Sequence, residues 1–564
     1  MTRNFLWSIL RFFMWLLVGL LFFLLGFWVY FHFATKLEEP IIDSSRFENF
    51  DRIELNDSTF VFKESFLRKN SHGIWEMYLK GNAVEIGYSH GILSKELMQF
   101  QEKAFVSQIQ KMIPNPEYLK FLKYVTAWMN RDLDEYIAIE YQQEIKAVSL
   151  FADSQFSFIG NNYERQLNYH AAHDIGHAMQ NLNLVACTAF SVWDSLSADS
   201  TLLIGRNFDF YVGDDFAKNK IIMFVEPDQG YQFVSIAWAG MSGVVSGMNN
   251  QGLSVTLNAA KSKIPFSAKT PVSIIAREIV QYASTIEQAY AIAKSRRSFV
   301  AESFFIGSAN ENQTAIIEKT PDTTILLRAE KEAKQILTNH FQSNALFFED
   351  LNQENLNENA TGLRFKRVQE LMDCNIAFDP DRFVSILRNP FGRGEQSIGI
   401  GNEEAVNQYV AHHSLVLQPE KLKLWMSSPP FQLGDFISYS LKEIFNNPQI
   451  LFDESRANSQ MIQKDRSQLN STYLFFSTFR NLKLEIERAV QSKQKLSQQK
   501  INDFIEANPN YFFTWELLGD YYQALDEFES AKTAFARALE MNIPNQFERE
   551  KIEGKFKNCS IEAL

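Results

Sequence analysis

An uncharged apolar run, FFMWLLVGLLFFLLGFWVYF over Phe12–Phe31, constrains this chain more than any other feature. About 20 such residues span the hydrocarbon core of a bilayer as a helix. Arg3 and Arg11 precede the run, and Lys36, Glu38 and Glu39 follow it. The positive charge on the N-terminal side predicts a single pass with a cytoplasmic N-terminus and the rest of the chain on the periplasmic or extracellular side. A cleaved signal peptide is the competing reading. Such peptides have a shorter apolar core and a small-residue cleavage site, whereas this run ends in Tyr30, Phe31, His32 and Phe33. A retained anchor over residues 1–35 is expected.

The 564 residues predict more than one domain. Residues 36–186 read as a mostly helical region. It has a strand-containing lead-in (40 to about 65), amphipathic helical stretches between 83 and 150, and a further helix over 164–182. At Leu184 the texture changes. Short runs with period-2 alternation follow one another: CTAFSVW (187–193), TLLIGRNFDF (201–210), KIIMFVE (220–226), YQFVSIAWA (231–239) and GLSVTLNA (252–259). A helix over 272–295 follows Pro271, and then come SFFIGSA, TAIIEKT, TTILLRA and KQILTN. The spacing predicts a loop over 347–362, a helix over 363–375 and a last strand pair, NQYVAHHSLVL and KLKLWMSS. Strands without regular β-α-β alternation predict an α+β or layered-sandwich domain over 187–453, not a doubly wound sheet.

From 454 the chain reads as a polar linker and then a helical tail. Trp515, Leu518, Gly519, Tyr522, Ala531, Phe535 and Ala538 match the tetratricopeptide spacing W-x2-L-G-x2-Y…A-x3-F-x2-A. A lone repeat cannot bury its own face. A structural hairpin is the plainer reading, and a module that binds a protein partner is the alternative.

A net charge of -12 argues against a nucleic-acid partner, which would call for a basic face. The cysteines Cys187, Cys374 and Cys559 are too few for a disulfide framework, and no C-x-x-C pair suggests structural zinc. Cys374 sits in an apolar helical pattern and reads as buried packing. In YHAAHDIGHAM, His170, His173, Asp174 and His177 cluster, and His173 and His177 share a helix face as metal-binding pairs do. The Glu of H-E-x-x-H is missing, so hydrogen-bonded or substrate-lid histidines are the preferred reading and no metal or cofactor is expected. His412 and His413, adjacent on a strand, are expected on opposite faces.

A thiolate attacking an amide needs a base, a lowered thiol pKa and donors for the oxyanion. Cys187 opens a strand, and the next strand carries Gly205-Arg206-Asn207-Phe208-Asp209. Arg206 near the thiol would favour the thiolate. Arg206 and Asp209 are three apart on a strand and point to different faces, so they converge on one site only if a bend or bulge follows Arg206.

Taken alone these residues are weak signals, but they fall in a wider pattern. C-T-A-F with G-R-N-F-D-F resembles the start of the mature chain in acid ceramidase, N-acylethanolamine acid amidase, choloylglycine hydrolase, penicillin V acylase and the acyl-CoA:6-aminopenicillanic-acid acyltransferases. Gly247-Met248-Asn249-Asn250-Gln251-Gly252-Leu253 with Leu257-Asn258, Thr338-Asn339, and Leu363-Arg364-Phe365-Lys366-Arg367 resemble further segments of those enzymes, in the same order. Gly81-Asn82-Ala83-Val84-Glu85-Ile86-Gly87 with Gly91-Ile92-Leu93 resembles the pro-region of the acyltransferase branch.

The resemblance implies an N-terminal-nucleophile hydrolase with a four-layer αββα sandwich. The precursor would cut itself between Ala186 and Cys187. The freed α-amine, with an unperturbed pKa near 8, would then serve as base. By the same resemblance Cys187 is the nucleophile, Asp209 holds the new ammonium and Arg206 sits over the thiolate. Asn258 and Asn339 donate to the oxyanion or orient the amine, and Arg364 closes the polar network. The substrate would be a small N-acyl amide, with hydrolysis and acyl transfer both open. The rival reading is a membrane-anchored scaffold whose enzyme domain is inactive.

Overall fold

The computed structural model describes residues 2–47, 49–113, 115–171, 186–263, 268–329, 332–373, 376–458 and 460–562. His173, Asp174, His177, Cys374 and the end of the 164–182 helix lie outside the described residues. The N-terminal run forms a helix, Thr2–Ala34. Within it Trp7–Ala34 is long and apolar enough to cross a membrane, by length and composition, and none of its apolar window is buried in the protein.

Strands β1 (Ile53–Asn56), β2 (Thr59–Phe62), β3 (Ser65–Lys69) and β4 (Trp75–Gly81) lie between the N-terminal helix and the helix Ala83–Met112. The lead-in therefore holds more strand than its sequence predicts. It also belongs to the main sheet, because β4 runs parallel to β7 (Ile221–Pro227) from Trp75↔Ile221 to Gly81↔Pro227. The strands after Ala186 are β5 (Thr188–Val192), β6 (Leu203–Asp209), β8 (Phe233–Ala237), β9 (Ser246–Asn249) and β10 (Leu253–Ala259). Then come β11 (Glu302–Ser308), β12 (Gln313–Lys319), β13 (Thr324–Arg328), β14 (Lys334–Leu337), β15 (Ala411–Gln418), β16 (Lys423–Ser427) and β17 (Phe436–Ser440). They form an 11-stranded sheet, β1-β2-β3-β4-β7-β8-β9-β10-β11-β12-β13, and a 6-stranded sheet, β14-β5-β6-β15-β16-β17.

One apolar core lies between the sheets. Ala189, Ile204 and Leu415 of the smaller sheet meet Ile222, Phe224, Val234 and Phe305 of the larger. On the outer face of the larger sheet, Leu79 and Val255 pack with Ile86, Ile145, Ile275 and Ile279 of helices. On the outer face of the smaller sheet, Phe190, Leu203 and Val416 pack with Val368, Phe383 and Leu387 of helices Thr361–Met372 and Pro380–Leu387. Alternation of buried side chains on both strand faces is what two covered faces require.

Several boundaries differ from the sequence reading. The 272–295 helix is two, Val272–Tyr282 and Ile286–Ser295, with the Thr285 side chain capping the second. The expected loop at 347–362 holds a helix, Asp350–Glu358, whose Asn/Glu-rich surface hides its period. The expected linker after 454 contains short helices, Glu454–Asn458 and Arg466–Asn470. The tail is five helices between Thr472 and Glu562. At the hairpin Phe512–Ala524/Phe528–Leu539, a Cβ on Gly519 would come within 2.3 Å of the Phe535 ring.

Two of the motifs prove to be architectural. Asn82 caps helix Ala83–Met112 and Glu85 returns the bond, a capping box. The β9–β10 turn is tied by Asn249, whose Oδ1 accepts from Gln251 and Leu253 N–H and whose Nδ2 donates to Val280 and Ala283 carbonyls. Gly252 sits in that turn at φ +72°, where a side chain is strained.

Candidate active site

Cys187 immediately precedes β5, and the antiparallel register Thr188↔Asn207 sets it opposite Phe208 of β6. The Ala186 N–H donates to the Asp209 carbonyl at 2.9 Å. The Ala186–Cys187 peptide therefore runs along the end of β6 as a continuation of the sheet. Gly205 lets β6 lie close to its neighbours, since a Cβ there would meet Phe190 and Phe383 at 2.8 Å each.

Arg206 is wholly buried and reaches across to the other sheet. Its Nη1 donates to Asn258 Oδ1 at 2.7 Å, its Nη2 donates to the Leu257 carbonyl, and Nη2 lies 3.6 Å from Cys187 Sγ. Asn207 projects the opposite way, donating to the Leu387 and Val406 carbonyls. Cys187 and Arg206 both feel the charge of Asp209. The bulge is in β15, between Ala411 and His413. It also turns His412 and His413 toward each other, Nδ1 to Nδ1 at 2.9 Å, which corrects the opposite-face expectation.

Neither oxygen of the buried Asp209 carboxylate has a hydrogen-bond partner. Burial pushes its pKa up to about 7 against the pull of Arg364 and Arg206. The Cys187 thiol is pushed up to about 12 by burial, which outweighs the favourable charge of Arg206. The thiolate expected from the arginine alone is therefore not the resting state of this thiol. Glu302, at the start of β11, adds a second buried negative charge acting on both Cys187 and Arg206. Nothing in its local sequence marks it, because only the pairing of β10 with β11 brings it near.

The two asparagines are committed to backbone. Asn258 Nδ2 donates to the Thr338 carbonyl at 3.2 Å, and Asn339 Nδ2 donates to the Ala259 carbonyl at 3.1 Å. Arg364 Nη2 donates to Asn339 Oδ1 at 2.6 Å and its Nη1 to the Glu403 carbonyl at 2.8 Å. Thr361, not singled out from the sequence, accepts the Asn339 N–H through Oγ1 at 2.8 Å. Hydrogen bonds and contacts thus group Cys187, Arg206 and Asn258 on one side and Asn339 and Arg364 on the other, and Asp209 feels the charge of both arginines.

Helices before Ala186 cover this end of the sheets. Gly240 N–H donates to His90 Nε2 at 3.0 Å and Ser242 N–H to His170 Nε2 at 2.8 Å. His170 Nδ1 is 2.7 Å from the Gln166 carbonyl, so both its nitrogens are engaged in hydrogen bonds. Among the described residues no cluster of three His, Cys, Asp or Glu is able to hold a metal ion. The C-terminal tail meets the same site from the far side. Asn508 accepts from Ile400 N–H at 2.9 Å and donates to its carbonyl at 2.8 Å, and Asn402 donates to the Asn542 carbonyl at 3.0 Å. These bonds hold the loop whose Glu403 carbonyl anchors Arg364.

Residues 196–428 match the model of the acyl-coenzyme A:6-aminopenicillanic acid acyl-transferase family, a segment that begins just after Cys187. A protein of Archaeoglobus fulgidus described as uncharacterized is 26% identical over 270 residues, covering 44% of each chain, so this chain spans under half of that relative. Among solved structures, a Caenorhabditis elegans N-acylethanolamine-hydrolyzing acid amidase ortholog is 18% identical, covering 42% of this chain and 93% of that one at a TM-score of 0.31. Two variants of the conjugated bile acid hydrolase from Clostridium perfringens are each 14% identical, covering 46% and 93% at a TM-score of 0.32.

Proposed function

We propose that this chain is a membrane-anchored, extracytoplasmic amide hydrolase or acyltransferase that acts on N-acyl amides through a Cys187 thioester, after cutting itself between Ala186 and Cys187. Its parts are an anchor (1–35), a pro-region (36–186), an αββα catalytic domain (187–453) and a tetratricopeptide-like helical tail (454–564). One observation carries the reading: a buried carboxylate, Asp209, stands without a partner on the residue whose carbonyl holds Ala186 N–H. A buried unpaired carboxylate is costly. A new ammonium at Cys187 would be its counter-ion.

In the cut, Cys187 Sγ adds to the Ala186 carbonyl carbon and its proton passes to Asp209, whose raised pKa suits a base near neutrality. Collapse breaks the Ala186–Cys187 C–N bond and forms a thioester, with the proton delivered to the departing nitrogen. Water then hydrolyses the thioester, leaving Ala186 as a carboxylate and Cys187 with a free α-amine. In turnover that amine takes the thiol proton and passes it to the substrate's leaving amine. Water or an acceptor amine releases the acyl group. Arg206 favours the thiolate, and Asn258 and Asn339 keep the two arginines in place.

Incubating the matured protein with N-acyl amino acids, bile-salt conjugates and penicillin V tests the reading. The expected result is turnover of at least one class, with an acyl mass on the fragment containing Cys187. No turnover and no adduct with any acyl amide would overturn it. The inward contacts of the tail favour a supporting role over capture of a separate protein. Asn508→Ala is therefore expected to lower kcat about three- to tenfold, the scale of about one net hydrogen bond passed on to the site, with KM within about twofold. An unchanged kcat would make the tail a bystander.

A further inference from the structure

Helix Pro116–Met129 carries a stripe of aromatic rings that the fold leaves largely uncovered. Pro116 stands in its first turn, and Asn115 caps it, Oδ1 accepting the Glu117 and Tyr118 N–H groups at 3.0 and 3.2 Å. Tyr118, Phe121, Val125 and Trp128 follow at steps of three and four, the period of one helix face. Tyr124 flanks that face. Tyr118, Phe121 and Tyr124 are each at least half exposed, Phe121 to 58%. Lys120 and Lys123 fall on the far side of the helix by the same period. Lys123 Nζ donates to the Phe158 carbonyl at 2.9 Å, and Phe158 is exposed as well. Single apolar side chains on a surface are ordinary, but a row of rings along one helix marks a face that something covers.

The end of the N-terminal helix covers one end of that stripe. The Phe31 ring stacks on Trp128 with centroids 5.8 Å apart and meets Tyr124 edge-on at 6.1 Å, and the Tyr30 ring lies 6.3 Å from Trp128. Among the described residues the ring contacts between the two helices fall on Tyr30 and Phe31 alone, so the helices cross at that turn and do not pack lengthwise. The N-terminal helix ends at Ala34, about 5 Å further along its axis. The chain beyond is fastened to the body at once. Leu37 is buried in the core, Glu38 N–H donates to Asp134 Oδ2 at 2.7 Å, and Lys146 pairs with Glu39.

These contacts set a depth. Tyr and Trp concentrate where a membrane helix passes the headgroups. Tyr30 and Phe31 close the apolar run, so the rings they touch stand at that level. From Trp128 the stripe continues to Tyr118, about 15 Å along the helix. Aromatic rings on one face and lysines on the other are the pattern of a helix lying in the plane of a bilayer surface. Continuity of the stripe with the anchor favours lipid over a protein partner as its cover.

Building on the membrane-anchored reading, we propose that helix Pro116–Met129 is seated in the headgroup–acyl boundary of the leaflet on the catalytic side, with Tyr118, Phe121 and Tyr124 in lipid. Anchor and helix are then two crossing elements in one membrane. Together they hold the body in one orientation on the surface, where the anchor alone would leave it free to tilt.

The test uses the full chain in nanodiscs of phosphatidylcholine and phosphatidylglycerol, labelled with a fluorophore at Phe121→Cys, Leu20→Cys or Ser530→Cys. Leu20 lies mid-anchor, and Ser530 is exposed on the tail. The wild-type chain, labelled alongside, gives the background of its own cysteines. Quenching by spin-labelled lipid reports contact with lipid, and quenching by iodide reports contact with water. Phe121→Cys is expected to be quenched by lipid labelled near the headgroup, and by iodide at least about fivefold less than Ser530→Cys, as immersion in the boundary requires. Leu20→Cys is expected to respond most to lipid labelled deep in the acyl chain. Iodide quenching of Phe121→Cys as strong as that of Ser530→Cys, without lipid quenching, would overturn the proposal. Protection from both quenchers would overturn it too, since a second copy or another protein would then cover the stripe. If Leu20→Cys shows no lipid contact, the anchor reading fails instead, and Phe121→Cys still decides: lipid quenching there supports the boundary helix, and its absence overturns it.

Discussion

Cys187→Ala is expected to leave the whole 65.2 kDa chain uncut and to abolish turnover, by at least about a thousandfold, as loss of a covalent nucleophile does. The variant costs little in the fold. Cys187 is buried among apolar groups, and Ala occupies the same space with one atom fewer. What it removes is the atom 3.6 Å from Arg206 Nη2, the one nucleophile the cluster offers to the Ala186 carbonyl. Mass spectrometry and a turnover assay check it. A Cys187→Ala chain that is cut at the same bond, or that retains activity, would place the chemistry elsewhere.

Asp209→Asn is expected to stop maturation and, in the uncut chain, to stabilise. The sign follows from linkage. Burial raises the folded pKa of Asp209 from 3.8 to about 7, so between these values the folded chain binds more protons than the unfolded one. Stability therefore falls as pH rises from about 4 to about 7, and the full penalty stands above 7. At about 1.4 kcal/mol per pH unit the penalty amounts to a few kcal/mol. In a Cys187→Ala background, which cannot form the ammonium, Asp209→Asn is expected to raise the thermal midpoint at pH 8 and to leave it unchanged at pH 4. With Cys187 present, the same substitution is expected to slow cutting at least about a hundredfold, because the proton acceptor is gone. Cutting at the wild-type rate, or a lower midpoint at pH 8, would contradict the role given to this carboxylate.

Much of the fold was legible where local pattern and long-range pairing agree. The strands from Cys187 to Ala259 carry period-2 alternation between turn residues, and they appear where the alternation falls. The motifs around Arg206, Asn258, Asn339 and Arg364 were read in order, and the structure brings them together: Arg206 reaches from the middle of β6 to Asn258 near the end of β10, and Arg364, on the helix Thr361–Met372, holds Asn339 just beyond β14. Other features were hidden for physical reasons. The parallel β4–β7 pairing joins residues 75–81 to 221–227, which no local period records. The β15 bulge that turns His412 toward His413 breaks the two-residue period on which the opposite-face expectation rests. Desolvation outweighs Arg206 at the thiol, and burial of that depth is a property of the packed chain.

The cut we propose has a structural corollary. The β4–β7 pairing would keep residues 75–81 in the sheet after such a cut, so two fragments should travel together until denatured. Intact-mass measurement of the purified, active protein under denaturing conditions is therefore the most direct test. It should return two polypeptides, the larger beginning with Cys187. An active preparation made only of unbroken chain, or one cut at another bond, would contradict the account.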